Sequence, residues 1–530
     1  MIKKDCFDSD LKKAHNYLLE EKFTQAIDLF YKLEIEKPQD AQIKLYLGTA
    51  LIKNERYSEA VKALQNGIKV SNTLMNLHYA LGVSYFELQD YPKALREFAN
   101  EIKLNPTNPI PFCESGYALY ELKEYEKAII FIDKAIQLDQ GYGDAYHCMG
   151  ATLNNLERYK DALRYALKAI DIDHSKAEFY FSVGNIYFSL RKKNEAIKYF
   201  EKAIQINPSY YEALHNKGLV HLTFMEFQLG WPLYEYRPSL DQLRKKNQLS
   251  KYTAEIKKDL ANILVLKEQG IGDQILYSSF LSELNLDKNI HIEIDERLIP
   301  VLKRSFSKIN FEEKANKVDL KNYNFILAMG SLGLFFQKKY QDSSKRHNSF
   351  LISDEHKTQN IRKKIINNQG ASRVYGLSWK SNNEEIGKNK SIHLESFIDL
   401  LNIPNTIFVS LQYDSDEREM VDFFQKHNVK LFLFNDIDLY NDIDSLFSVI
   451  DACDAIVTVS NINAHVSGSL GKKTYLLAPL SKGRHWYWHD GLKTSLWYPS
   501  IQIFSQTETG DWSAPINEIR EKIVEEILHE

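Results

Sequence analysis

Gly270-Ile271-Gly272-Asp273 separates a branched apolar run, Ile263 to Leu266, from an amphipathic one carrying Leu276, Phe280, Leu281 and Leu284. The pattern predicts a strand, a glycine turn and a helix. The helix's first amides and dipole would face the crevice beyond a parallel sheet's carboxyl edge, where α/β folds hold ligands. Gly270 and Gly272 permit close backbone approach. Asp273 stands at the turn-to-helix junction and fits two roles equally: a general base facing the crevice, or the cap of a helix beginning near Gln274. The turn is neither common phosphate loop. GxGxxG would need glycine at 275, where Ile275 stands, and GxxxxGK followed by Ser or Thr does not occur, so dinucleotide redox chemistry and ATP hydrolysis are poorly supported.

A second set of polar residues lies further along the chain. Lys380 comes after the predicted strand YGLSW, at a carboxyl edge where an ammonium meets phosphate oxygens, and Lys390, before SIHLESF, is a second such cation. VTVSNINAHVSGSLG predicts a strand end, a polar turn at Ser460-Asn461-Ile462-Asn463, and a short helix from about Ala464 to Leu470 whose amides suit an anion without a metal. His465 lies in that helix's first turn, as a site residue or a hydrogen-bonded structural one. Gln412, closing TIFVSLQ, is a ligand-reading amide at a strand's carboxyl end or a surface glutamine. Leu480 to Gly491 mixes Lys482 and Arg484 with Trp486, Tyr487 and Trp488. In a chain of formal charge -4, so short a patch fits aromatic stacking or an anion contact better than nucleic-acid binding.

The elements that must position these residues differ between the two halves. In the first, glycine falls at 48, 82, 116, 150, 184 and 218, and alanine at 26, 60, 94, 128, 162 and 196, each with a step of 34. Phe23, Tyr57, Tyr91, Tyr125, Tyr159 and, after a lapse at Lys193, Phe227 keep the beat, and Pro38, Pro106 and Pro208 stand where a second helix must stop. Two small residues per period mark where paired helices approach most closely. This pattern resembles the tetratricopeptide repeat family across roughly residues 7 to 238. The resemblance implies about seven units stacked as an α-solenoid with a concave groove for a protein segment. By family phase it puts Tyr79, Phe86, Tyr117, Tyr120, His147, Asn154, Phe181, Asn185 and His215 on or near that groove. No regular asparagine ladder runs along it, so the peptide-backbone clamp of the O-GlcNAc transferases is not implied. FQLGWPLYEYR closes the array, with Trp231 and Tyr234 expected to cap it against the next domain.

From Asn262 short apolar runs alternate with helical stretches, the mark of βαβ units. Strands are predicted at 262–267, 289–294, 325–329, 374–379, 406–411, 430–434, 454–460 and 473–478, with a polar, strand-free divide around 355–372. The expected domains are the repeats (1–238), a linker (239–261), two Rossmann-like lobes (262–370 and 371–514) and a C-terminal helix (515–530). Four scattered cysteines, none in a CxxC pair, indicate neither disulfides nor a structural metal. The absence of any run of some 18 apolar residues points to a cytoplasmic protein with no membrane span.

ILVLKEQGIGDQI, YGLSWKS, SIHLESF, FVSLQ, DAIVTVSNINAHVSGSLGKKTYLLAP and HWYWHDGLKTSLWYPSIQIF resemble the ordered blocks of bacterial tetratricopeptide proteins that end in a GT-B glycosyltransferase domain, related to heptosyltransferases and more distantly to O-GlcNAc transferase. Some such proteins modify flagellin or other proteins. The resemblance implies an inverting, metal-independent glycosyltransferase without a cofactor, using a nucleotide-sugar donor and a protein acceptor recruited by the repeats. Asp273 takes the place of the base and His465 that of the motif histidine. The donor would meet Gly270, Gly272, Lys380, Lys390, Gln412, Ser460, Asn461, Ile462, Asn463 and Arg484. One departure stands out: relatives carry Asp-Thr-Ser or Asp-Thr-Gly where this chain has Ser460-Asn461-Ile462. It leaves a non-catalytic repeat scaffold as the alternative reading, beside a transferase acting on lipopolysaccharide or another glycan.

Overall fold

The computed structural model describes residues 2–241, 262–284, 290–313, 323–336, 348–369, 373–384, 386–413, 417–429, 431–480 and 482–529; at 2–6, 368–369, 417–419 and 421 it describes the backbone only. The chain forms two compact units, Met1–Asn207 and Pro208–Glu530.

The first unit holds six helix pairs, from Ile2–Leu19 with Phe23–Glu36 to Ala177–Ser189 with Lys193–Ile206. The periodic small residues explain the pairing. Ala26, Ala60, Ala94, Ala128, Ala162 and Ala196 are fully buried. A Cβ on Gly48, Gly82, Gly116 or Gly184 would run into Leu64, Phe98, Ile132 or Phe200 of the partner helix. Between the helices of a pair the chain turns on one left-handed residue: Glu21, Glu55, Gln89, Lys123, Glu157 and Arg191, with φ between +56° and +61°. The next amide then bonds back five residues, as Arg56 N does to Leu51 O at 2.9 Å. From the second pair to the sixth, first helices of successive pairs also touch, so they share one continuous face.

The second unit opens with a seventh pair, Tyr211–Thr223 and Phe227–Tyr234. Its periodicity is that of the repeats, whose expected end is 238, yet it groups with the sheets of the second unit. The cause is its residue types: Trp231 is fully buried among Phe280, Trp486 and Trp497. Of the expected linker, Pro238–Leu240 is a single 3-10 turn, and 242–261 lies outside the described residues.

The described residues of this unit form two parallel sheets. β1 (Ile263–Leu266), β2 (Ile290–Glu293), β3 (Asn310–Glu312) and β4 (Phe325–Ala328) lie in the order β3-β2-β1-β4. β5 (Arg373–Ser378), β6 (Thr406–Ser410), β7 (Ala455–Val459), β8 (Thr474–Ala478) and β9 (Ile501–Ser505) lie in the order β6-β5-β7-β8-β9. β7 and β8 are buried at every residue, as expected of a parallel sheet covered on both faces. Side chains alternate between two cores: Val374 faces the core shared with the first sheet, while Tyr375 and Leu377 face the C-terminal helix, Ser513–His529.

Three expectations need correction. β3 and β9 are absent from the predicted strands; β3 is three residues long with Phe311 its one apolar member, too little for a pattern to register. In place of the strand expected at 430–434, the described residues 431–434 hold only an isolated bridge, Phe432 to Val409. The strand-free divide is largely a helix, Glu355–Gln369, which buries Ile361 and Ile365 and packs on the helix Ile443–Ala452.

Candidate functional site

The turn after β1 is built as expected, with one change of role. The helix starts at Ile271 with Gly270 as its N-cap, so Asp273 occupies the third helical position and is not the cap of a helix beginning at Gln274. Its Oδ2 accepts from the Gly270 amide at 3.3 Å. Burial raises the Asp273 pKa to about 6; the Gly270 amide opposes the rise, and the negative charge of Glu268 adds to it. A carboxyl poised there alternates between base and acid near neutral pH.

This helix packs on a second one from the other sheet, Ile462–Ser469. A Cβ on Gly272 would stand 2.9 Å from His465 Cδ2, so glycine is needed here for the histidine ring. His465 is buried, its Nδ1 lies 3.0 Å from Tyr498 Oη, and Tyr487, Trp488 and Tyr498 surround its ring. Burial, followed by the charge of Lys390, lowers its pKa to about 3, so the imidazole is neutral. Lys390 is itself 4% exposed. Burial lowers its pKa to about 8 against the pull of Asp273, and its Nζ reaches His485 Nε2 at 3.3 Å. Asp273, Lys390, His465 and His485 thus form one electrostatic group, with Gly270 and Gly272 in the turn that holds the carboxylate.

The polar turn after β7 stands at the head of the second helix, which begins at Ile462, two residues before its expected start. Ser460, Asn461 and Asn463 are used largely within the fold. Ser460 Oγ accepts from Trp488 Nε1 at 2.8 Å. Asn461 is the N-cap: its Oδ1 accepts from the Asn463 amide at 3.0 Å, and its Nδ2 donates to Ser378 Oγ at 2.7 Å. Asn463 Nδ2 donates to Leu411 O at 3.3 Å, while its buried Oδ1 has no partner among the described residues. Lys380 is exposed beyond β5, and its main chain is held by Gln412 Oε1 at 3.1 Å and by Asn461 Nδ2 at 3.1 Å. Gln412 is therefore a buried buttress and not a surface residue. It also lines, with Ser410, Tyr413, Phe434 and Asp438, a cavity of about 270 Å³ beyond the end of β6. That volume approaches the lower end of ordinary small-molecule sites, ~300–1,000 Å³.

Arg484 departs from expectation. Its guanidinium donates to Trp488 O at 2.8 Å, His489 O at 2.9 Å and Ser505 Oγ at 2.8 Å, and lies 3.3 Å from Asp490. An arginine that ties up three oxygens in this way holds the loop's shape and is not placed to hold a diphosphate. Trp486, Tyr487 and Trp488 are buried, so they form core and not an open stacking surface. Sequence reasoning missed His485, Tyr498 and Tyr413. Each lies in or beside a stretch whose composition stands out, but the contacts of His485 and Tyr498 span 95 and 33 residues, which no local pattern announces.

In the first unit, Tyr79, Tyr117, Tyr120, His147, Asn154, Phe181 and Asn185 all lie on first helices and are half-buried. Several are tied to each other across repeats. His147 meets Tyr117 Oη at 2.9 Å through Nδ1 and Ser182 Oγ at 2.8 Å through Nε2, and burial lowers its pKa to about 4. Tyr120 Oη accepts from Asn155 at 2.9 Å, Phe181 packs on Phe200, and Asn154 Oδ1 has no partner among the described residues. Tyr117 and His147 line a cavity of about 500 Å³ with Asp144, Lys176 and Phe179.

Residues 17–72, 79–143 and 177–210 match tetratricopeptide repeat family models, so the chain carries these repeats. Protein FlbA of Caulobacter vibrioides is 24% identical over 314 residues, 55% of this chain and 51% of that protein. The chain spans about half the length of that curated relative. Among solved structures, YrrB, described as a TPR protein with an unusual peptide-binding site, is 22% identical over 36% of this chain and 97% of its own, with a TM-score of 0.29. A tetratricopeptide repeat protein from Parabacteroides merdae is 16% identical over 48% of this chain and 96% of its own, with a TM-score of 0.39. Among the described residues, no helix is long and apolar enough to cross a membrane.

Proposed function

We propose that the second unit is a GT-B glycosyltransferase moving a sugar from a nucleoside diphosphate to an acceptor hydroxyl with inversion, and that the repeats recruit a protein acceptor. The acceptor oxygen attacks the anomeric carbon, the bond from that carbon to the diphosphate oxygen breaks with its electron pair leaving on the diphosphate, and Asp273 takes the acceptor proton. Lys380 and the first amides of the Ile462 helix compensate the leaving charge, and no metal is required for this. The positive charge of Lys390 favours the ionised form of Asp273, and the cavity at Gln412 and Tyr413 takes the nucleoside.

The observation that carries this reading is the abutment of Gly272 on His465, which brings Asp273, Lys390 and the neutral imidazole from two sheets to one place. A second reading, a scaffold without turnover, is favoured by the internal engagement of Ser460 and Asn461. The test uses the purified full chain with UDP-, GDP- and ADP-sugars. A true donor at 100 times its Kd stabilises the protein by ~2.7 kcal/mol, and nucleoside diphosphate is released on turnover. No thermal shift with any of them would leave the scaffold reading standing.

A further inference from the structure

The seventh helix pair has an unusual tie to the candidate site. Arg237, just past its end, is 1% exposed and gives a two-pronged ion pair to Glu268, with Nε to Oε2 at 2.7 Å and Nη2 to Oε1 at 2.6 Å. Its remaining donors reach Ser331 Oγ at 3.0 Å, Tyr234 O at 3.0 Å and Glu235 Oε1 at 2.9 Å. Glu268 also accepts from the Gly330 amide at 2.6 Å and Ser239 Oγ at 2.9 Å. Burial alone would raise this carboxyl, but the guanidinium holds it below its ordinary range. Glu268 follows β1 and Gly330 follows β4, so one buried charge pair fastens the carboxyl ends of both strands to the helix pair.

The next residue is fastened as well. Gln269 has a left-handed backbone, φ +60°, directly before the Gly270 cap. Its Nε2 donates to Tyr234 Oη at 2.9 Å, its Oε1 accepts from Tyr277 Oη at 3.3 Å, and the two phenols lie 3.0 Å apart. A non-glycine residue in this conformation costs ~1–3 kcal/mol and persists only where its surroundings over-determine it. Tyr234 and Tyr277 are those surroundings. On its other side the pair meets the second sheet's loops: His489 Nε2 accepts from Trp497 at 3.2 Å, so its proton is on Nδ1, 3.2 Å from Thr223 O.

We infer that Tyr234 and Arg237 are positioning residues for Asp273: by clamping Glu268 and Gln269 they set the turn on which the carboxylate sits. The seventh pair, repeat by its periodicity, is then a structural part of the transferase site and not a docking repeat. This role rests on the glycosyl-transfer reading for its meaning but not for its test.

The test compares the full chain with Tyr234→Phe, which removes one hydroxyl and keeps the ring, and with Arg237→Met. Hydrogen exchange is followed by mass spectrometry in peptides covering 267–280 and, as an internal reference, 41–53 in the first unit. The expected result is faster exchange at Gly270 and Gln274, whose amides donate to Asp273 Oδ2 and Gly270 O, in Tyr234→Phe with the reference peptide unchanged, and a larger effect in Arg237→Met. With a sugar nucleotide that the wild type turns over, kcat should fall ~10–100-fold while KM for the donor stays within about twofold, because the misplaced group is the base and not the donor pocket. Unchanged exchange in Tyr234→Phe overturns the inference even if Arg237→Met fails to fold. Unchanged kcat beside faster exchange also overturns it. If the wild type accepts none of the UDP-, GDP- or ADP-sugars, it is the transferase reading that falls, and exchange alone decides the clamp.

Discussion

Gly272→Ala probes the contact on which the site depends. The added methyl would stand 2.9 Å from His465 Cδ2 and 3.3 Å from Nε2. Carbon pairs are most comfortable at ~3.5–4.0 Å, so one side must retreat by ~0.6–1 Å. The imidazole has little freedom to do so, since Tyr498 holds Nδ1 and Tyr487 and Trp488 crowd the ring. The helices are therefore expected to part, at an overpacking cost of ~1–3 kcal/mol. In a unit of this size that lowers Tm by ~1.5–4.5 °C. A displacement near 1 Å between the two halves of the site should also reduce turnover ~100-fold. Thermal unfolding of a double-mutant cycle with His465→Ala separates the clash from everything else. Without the ring the methyl has room, and alanine is the better helix former by ~1 kcal/mol, so Gly272→Ala should raise Tm in that background. A loss of stability that is the same with and without the imidazole would refute the reasoning.

Asp273→Asn is expected to abolish transfer while leaving nucleotide binding intact, as judged by calorimetry beside product release. Wild-type activity should rise with pH through about 6, where the carboxyl ionises. The stability effect has the opposite sign. Because folding raises this carboxyl's pKa, its charge opposes folding once pH exceeds the unfolded value near 3.9, and does so fully above about 6. Asp273→Asn should thus raise Tm at pH 8 and change it little at pH 4. Lys390, lowered to about 8, predicts an alkaline fall in activity that Lys390→Met removes along with most turnover. In the repeats, Tyr120→Ala should weaken capture of a protein acceptor in pull-down from matched lysates without altering sugar-nucleotide binding.

Much of this architecture is legible in the sequence because it is periodic. A step of 34 residues declares itself through small side chains, and β1, β7 and β8 through short, mainly apolar runs. Gly272, Asp273 and His465 are legible as residues of interest, but not the reason for the glycine, which is a ring 193 positions away. Arg484 shows the converse. Its type and neighbours suit an anion, yet nothing local reveals that loop carbonyls already use its donors. Long-range polar partnerships such as Arg237 with Glu268 leave no period behind them, so they appear only once the chain is folded.

The left-handed turn residues carry a consequence of their own. Glu21, Glu55, Gln89, Lys123, Glu157 and Arg191 recur at one phase, and none is glycine. Each holds ~1 kcal/mol of backbone strain that glycine would relieve, less glycine's own entropic penalty of similar size. With the two effects so nearly matched, glycine at any one of the six turns should leave stability almost unchanged: the left-handed conformation is imposed by the backbone hydrogen bond that closes each turn, and the side chain there is left to chance.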